Sequence, residues 1–165
     1  MTAKTTAVAA ILYFIIVFVI AFGLGTIRVL LLVPAIGALA ATLIELPIIL
    51  TVSWGASDYV VARRAVSPAS APRLAMGAIA FLILMTAETL LGLFAFGRPI
   101  ADQFSAYRGL AAQIGLAGQI AFAAIPWIQG KMARNIPQAA FSSVAASTTP
   151  TMPRMMPVSS KSLGV

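Results

Sequence analysis

Only four acidic residues occur in the chain, and two of them, Glu45 and Glu88, stand inside long apolar runs. A carboxylate at mid-membrane costs about 2.5–3.5 kcal/mol on insertion scales, so such groups face other protein and find partners there. Gln119 falls in a further apolar run, and Thr42, Thr86 and Thr89 lie within a helical turn of the two carboxyls. Counted along their runs, Glu45, Glu88 and Gln119 come to similar depths near the middle. In its neutral form either carboxyl can donate to the other, to Gln119 or to a free carbonyl. Pro47 supplies such a carbonyl and marks a helix kink, because its missing N–H leaves the Leu43 C=O without its helical partner.

Two roles fit this polar layer. One is a proton relay or small-solute site between helices. The other is interhelical hydrogen bonding that fixes register, each bond contributing about 0.6 kcal/mol. The second suits a small bundle better, because transporter folds are built from internal repeats and none is visible here. Arg28 is a possible charge partner. It precedes Glu45 by 17 residues, about 25 Å along a continuous helix, so the two meet only if the segment folds back. Glu88 is the more reachable partner, and snorkelling of Arg28 to an interface is the simplest expectation.

Other chemistries lack their residues. The chain has no cysteine and no histidine, which removes thiolates, disulfides, the usual metal ligands and the usual general base near neutral pH. The lysines, Lys4, Lys131 and Lys161, lie outside the apolar runs, and no phosphate-binding glycine loop is present. The reading is of a protein without catalytic residues, metal or cofactor.

Composition sets the class. Hydrophobic residues make up 61% of the 165 and charged residues 9%, and mean hydropathy is +1.00. Soluble domains carry about 25% charged residues. The apolar residues gather into four blocks, at about 7–24, 27–54, 74–96 and 110–128, each long enough to cross a hydrocarbon core about 30 Å thick. The first block is longer than a cleaved signal's apolar core, and further spans come after it, so it reads as an anchor. The fold expected is all-α: a polytopic membrane protein whose residues 1–130 form a four-transmembrane-helix bundle.

Boundaries come from local chemistry. Gly23-Leu24-Gly25 reads as a tight turn, with Thr26 as the N-cap of the next helix. The second block is over-long, so residues 27–33 either lie at the interface or belong to the second span. Small residues at helix-packing spacing (Gly37 and Ala41, Ala111 and Gly115, Ala117, Gly118 and Ala121) permit close helix approach. Residues 131–165 form a basic Ser/Pro/Met-rich tail, too poor in apolar residues to fold alone and expected to be disordered or extended. Most tyrosines and tryptophans fall near span ends, as an aromatic belt requires. Tyr13 is the exception, inside the first span.

Charge gives an orientation. Lys4, Arg63, Arg64, Arg73, Lys131, Arg134, Arg154 and Lys161 fall on one side, and Arg28, Arg98 and Arg108 on the other. The positive-inside rule puts both termini in the cytoplasm. The net charge of +7 thus reflects basic loops at an anionic membrane face rather than nucleic-acid binding. The stretch Thr26-Ile-Arg-Val-Leu, Pro34 and Glu45-Leu-Pro47 bears only a general similarity to bacterial membrane proteins and assigns no residue role; the location expected is the bacterial inner membrane. The partners expected are the bilayer and other membrane-protein subunits. An accessory or assembly subunit of a larger complex is the first expectation, and a small channel or transporter using Glu45 and Glu88 the second.

Overall fold

The structure, a computed structural model, describes residues 3–135, and all the regular structure among them is helical. Helix α1 covers Ala3–Ile27, and a π-helical turn comes next at Arg28–Leu32. The remaining helices are α2 at Val33–Arg64, α3 at Ser70–Phe94, the short α4 at Ile100–Ala106 and α5 at Leu110–Asn135. Three stretches are long and apolar enough to cross a membrane: Ala3–Arg64, Ser70–Phe94 and Leu110–Arg134. The first of these is folded in two, which gives four antiparallel arms.

The fold-back is at Gly37, with φ 79° and ψ 162°. Only glycine occupies that region without strain, because any Cβ collides with the backbone. The turn expected at Gly23-Leu24-Gly25 does not form, and α1 runs helically through it. In apolar surroundings an unpaired N–H or C=O costs several kcal/mol, more than the helix loses by containing two glycines. Thr26 does not cap a helix; its hydroxyl donates to the Phe22 carbonyl at 2.8 Å. Residues 27–33 therefore continue the first arm and are not part of the second.

Pro34 accounts for the π turn. Its ring would press on the carbonyl of Leu30 in a regular α-helix. The preceding residues widen instead, and the Val33 N–H closes on the Arg28 carbonyl five residues back.

The arms pack as a ring in which α1 touches α2 and α3, and α5 touches α2 and α3. Sequence neighbours α2 and α3 thus sit across the diagonal. The loop between them begins with a left-handed Ala65 (φ 49°, ψ 43°), closed by Ala65 N–H on Ala62 O at 3.4 Å and Val66 N–H on Val61 O at 3.1 Å. This double closure satisfies carbonyls the helix end leaves over, with buried Val66 as its apolar contact. Helix α3 starts four residues before the expected span; Pro72 falls in its first turn, where no N–H is needed.

The core lies toward the Arg64–Ser70 loop: Ala9, Ala10, Tyr13, Val60, Met76, Ala80, Leu84 and Phe122 are buried together. Tyr13 and Phe122 stack with ring centroids 4.4 Å apart. Helices α3 and α5 approach closely at Gly77, where a Cβ would land on the Ala123 carbonyl. Of the small residues singled out in the sequence, Gly118 receives the Leu46 side chain, Gly115 faces open space and Gly37 makes the reversal. Residues 131–135 continue α5 rather than opening the tail. The tail beyond them lies outside the described residues.

Candidate functional site: a polar layer near the Gly37 end

Glu45 lies eight residues past the reversal, which brings it back beside the first arm. Its carboxylate pairs with the Arg28 guanidinium, Nε to Oε2 at 2.5 Å. Among the described residues this is the one ion pair. The 17-residue separation is closed by the turn at Gly37, so Arg28 neither snorkels nor takes Glu88 as its first partner. The π turn that begins at Arg28 and the reversal nine residues later together set this approach.

On the opposite side of the ring, Gln119 Nε2 donates to Glu88 Oε2 at 2.6 Å and ties α5 to α3. Arg28 acts electrostatically on Glu88 as well, so one cation serves two carboxyls on different helices. Gln119 Oε1 is buried without a hydrogen-bond partner. Gly25 lies beside Glu45, where a Cβ would stand 3.9 Å from Oε1 in ordinary contact.

The three threonines do not join this layer. The Thr42, Thr86 and Thr89 hydroxyls donate to the carbonyls of Ala38, Leu82 and Met85, each four residues back in its own helix, at 2.8–2.9 Å. A helical threonine in apolar surroundings has this acceptor always within reach, and a carboxyl one turn away must compete with it. Helix α2 passes through Pro47 with helical backbone angles, and Thr51 Oγ1 donates to the Pro47 carbonyl at 2.8 Å. The sharp break in this stretch is at Gly37.

Glu45, Glu88 and Gln119 lie about 9–14 Å from the Gly37 end of their helices at 1.5 Å per residue, on the Gly37 side of the middle and within a turn of one another in depth. Two features of the layer's surroundings carried no sequence signal. Gln103 on α4 donates to the carbonyls of Thr89 (3.3 Å) and Arg98 (3.0 Å) and packs over Gly92. Tyr107 closes α4 near Glu88; burial, and then that carboxylate, hold its hydroxyl above the ordinary tyrosine pKa.

The two best-formed grooves do not reach the carboxyls. One, of about 360 Å³, is lined by Phe14, Leu82, Ile83, Thr86, Ala87 and Leu90. The other, of about 270 Å³, is lined by Met85, Thr86, Thr89 and Leu90. Both are open and mainly apolar. Among the described residues no three acidic, histidine or cysteine side chains gather as a metal site would require.

Fold and site together define an all-helical protein of long apolar helices joined by a small set of polar pairs. No family model matches the chain, and neither a curated protein nor a solved structure is significantly similar to it.

Proposed function

We propose that the chain is a non-catalytic integral membrane protein of the bacterial inner membrane, with both termini cytoplasmic, serving as an accessory or assembly subunit of a larger membrane complex. The observation that supports this most is how its interior polar groups are spent. Arg28–Glu45, Gln119–Glu88, Tyr13 on the Phe122 carbonyl, and Ser57–Gln129 all join one helix to another. The two grooves described among these residues are mainly apolar, and neither is lined by a carboxyl. This is the economy of a scaffold, whose side chains fix helix register and leave the outer faces for lipid or for neighbouring subunits.

Orientation rests on charge asymmetry. Among the described residues Lys4, Arg63, Arg64, Arg73, Lys131 and Arg134 stand against the single acid Asp58 at one end of the bundle. At the other end Arg28, Arg98 and Arg108 are balanced by Glu45, Glu88 and Asp102. An excess of Lys and Arg marks the cytoplasmic side. Lys131 over the Trp127 ring (3.9 Å) and Arg63 over Tyr59 (5.5 Å) give the same end the cation–aromatic pairs of a membrane interface.

Affinity purification from native membranes tests the role. The chain should copurify stoichiometrically with other membrane subunits, and deletion of residues 135–165 should weaken that association. Recovery as a lone monomer would overturn the proposal. Proton or solute flux in proteoliposomes that collapses in Glu45→Gln or Glu88→Gln would replace it with a transport role.

A further inference from the structure

We infer that the seam between α3 and α5 at the basic end binds the headgroup phosphate of an anionic phospholipid. Arg73 is only 6% exposed, with Nε donating to the Ser67 carbonyl at 3.1 Å. Its stem lies on Gly130, where a Cβ would meet Arg73 Cγ at 3.0 Å and the Pro68 carbonyl at 3.1 Å. One turn along α5, Arg134 Nη2 donates to Ser70 Oγ at 2.8 Å. Lys131, three residues before Arg134, stands over Trp127. Arg73 and Arg134 thus flank one interhelical seam, glycine at position 130 makes room for the Arg73 stem, and Lys131 adds a third cation on the same turn of α5.

The charge census says where their counter-ion comes from. All four acidic side chains lie within the described residues, and only Asp58 is at this end. Asp58 acts on Arg73 electrostatically but makes no ion pair, since the one pair among the described residues is Arg28–Glu45. Residues 136–165 add Arg154 and Lys161 and no acid. One carboxylate against these cations leaves a surplus of positive charge at this end that an outside anion can neutralise. At a membrane surface the anion at hand is a lipid phosphate, which arginines bind in bidentate fashion and which is worth several-fold in affinity for each cation near the surface. The inference requires the membrane setting but not the proposed subunit role, and it stands or falls separately from any protein partner.

Trp127 is a built-in reporter, since the only other tryptophan is Trp54. The full-length Trp54→Phe chain is reconstituted in phosphatidylcholine vesicles containing a small fixed fraction of dibrominated phosphatidylglycerol, or of dibrominated phosphatidylcholine. Brominated phosphatidylglycerol should quench Trp127 several-fold more at equal fraction. That preference should fall about fivefold for each charge removed in Lys131→Gln and Arg134→Gln, and Arg134→Lys should retain most of it. Ser70→Asp, which places a carboxylate beside Arg134 without removing any cation, should abolish the preference in a chain with all its arginines. Equal quenching by the two lipids, or a preference untouched by Ser70→Asp, would overturn the inference. So would loss of the preference to inorganic phosphate at constant ionic strength, which would make this a site for small anions rather than for lipid.

Discussion

In the packed core, Tyr13 on α1 reaches across to donate to the Phe122 carbonyl at mid-α5 at 2.9 Å, the acceptor that Pro126 leaves without its helical N–H. At the Gly37 end, Pro47 frees the Leu43 carbonyl in the same way, and no side-chain donor among the described residues is paired with it. A second contrast repeats the first. Gln129 uses both ends of its amide, accepting from Ser57 Oγ at 2.7 Å and donating to the Trp54 carbonyl at 2.9 Å. Gln119 uses only its nitrogen, and its buried oxygen has no partner. One end is a closed set of hydrogen bonds around a packed core, with Tyr13, Met76, Val60 and Ser57 all but fully buried. The other carries an ion pair, a π turn, a glycine at positive φ and large exposed apolar residues such as Leu30 and Leu31. Buried polar groups rigidify a fold when fully satisfied and leave it open to rearrangement when half satisfied. The difference assigns stability to the loop end and adaptability to the Gly37 end.

The strongest way to break this comparison is to unpair the ions. Glu45→Leu leaves Arg28 charged in apolar surroundings, and a guanidinium cannot neutralise itself by losing a proton. The expected loss is about 3 kcal/mol, read as a large fall in the thermal midpoint in detergent. Arg28→Met should cost clearly less, because the Glu45 carboxyl left behind can take up a proton. The double variant Arg28→Met/Glu45→Leu should recover most of the stability, since replacing both partners by apolar groups is often neutral. Equal losses in the two single variants would show that the pair's geometry, not the stranded charge, matters.

Tyr13→Phe probes the packed end. It keeps the ring stack on Phe122 and removes only the hydroxyl, so the carbonyl that Pro126 leaves open loses its donor. A buried acceptor left unsatisfied costs about 1–3 kcal/mol. Restoring the helical N–H with Pro126→Ala in the Tyr13→Phe background should return part of that loss. A Tyr13→Phe chain as stable as the parent would mean that the Phe122 carbonyl finds another donor and that this end is less tightly closed than its geometry implies.

How much of this is legible in the sequence depends on whether a signal is local. The helices and their apolar runs can be read directly, because a span needs about 20 apolar residues whatever its neighbours do. The fold-back cannot. Gly23, Gly25 and Gly37 look alike as letters, and only the register that brings Arg28 beside Glu45 selects Gly37 for the positive φ. The depth of Glu45 and the choice of Arg28's partner depend on that one assignment. Gln119 and Glu88 can be placed at similar depths by counting, and the structure brings them into contact. Tyr13 stands out in the sequence only as an aromatic residue away from the span ends. Its position inside a span, with Pro126 removing an N–H on another helix, is the available clue to a cross-bundle hydrogen bond. Gln129 and Gln103 give no such clue, because each acts on a carbonyl that its own neighbourhood in sequence does not reveal.

Ala65→Gly offers a gain instead of a loss. A non-glycine residue in the left-handed region costs about 1–2 kcal/mol, and Ala65 sits there with φ 49° to close α2. Glycine also has more freedom to lose on folding, so the net stabilisation expected is about 0.5–1 kcal/mol. A raised thermal midpoint in detergent, with unchanged resistance of the Gly37 end to proteolysis, would confine the effect to the loop end. A gain felt equally at both ends would mean that they unfold as one unit and do not differ in stability as their hydrogen bonding implies.

The finest test sets the two glutamines against each other. Gln129→Met removes two interhelical bonds, whereas Gln119→Met removes one and also relieves an orphaned oxygen. At about 0.6 kcal/mol per bond between helices in apolar surroundings, Gln129→Met should lose about 1 kcal/mol or more. Gln119→Met should lose half of that or less, because part of the loss is offset by no longer burying an unpaired acceptor. Binding of a partner subunit would change the ranking at one end only. If a neighbour supplies a donor to Gln119 Oε1, Gln119→Met becomes the more costly change in the intact complex while remaining the cheaper one in the isolated chain. A reversal of order between detergent-purified monomer and native membrane would therefore locate an interface at the Gly37 end, and the same order in both would argue against one there.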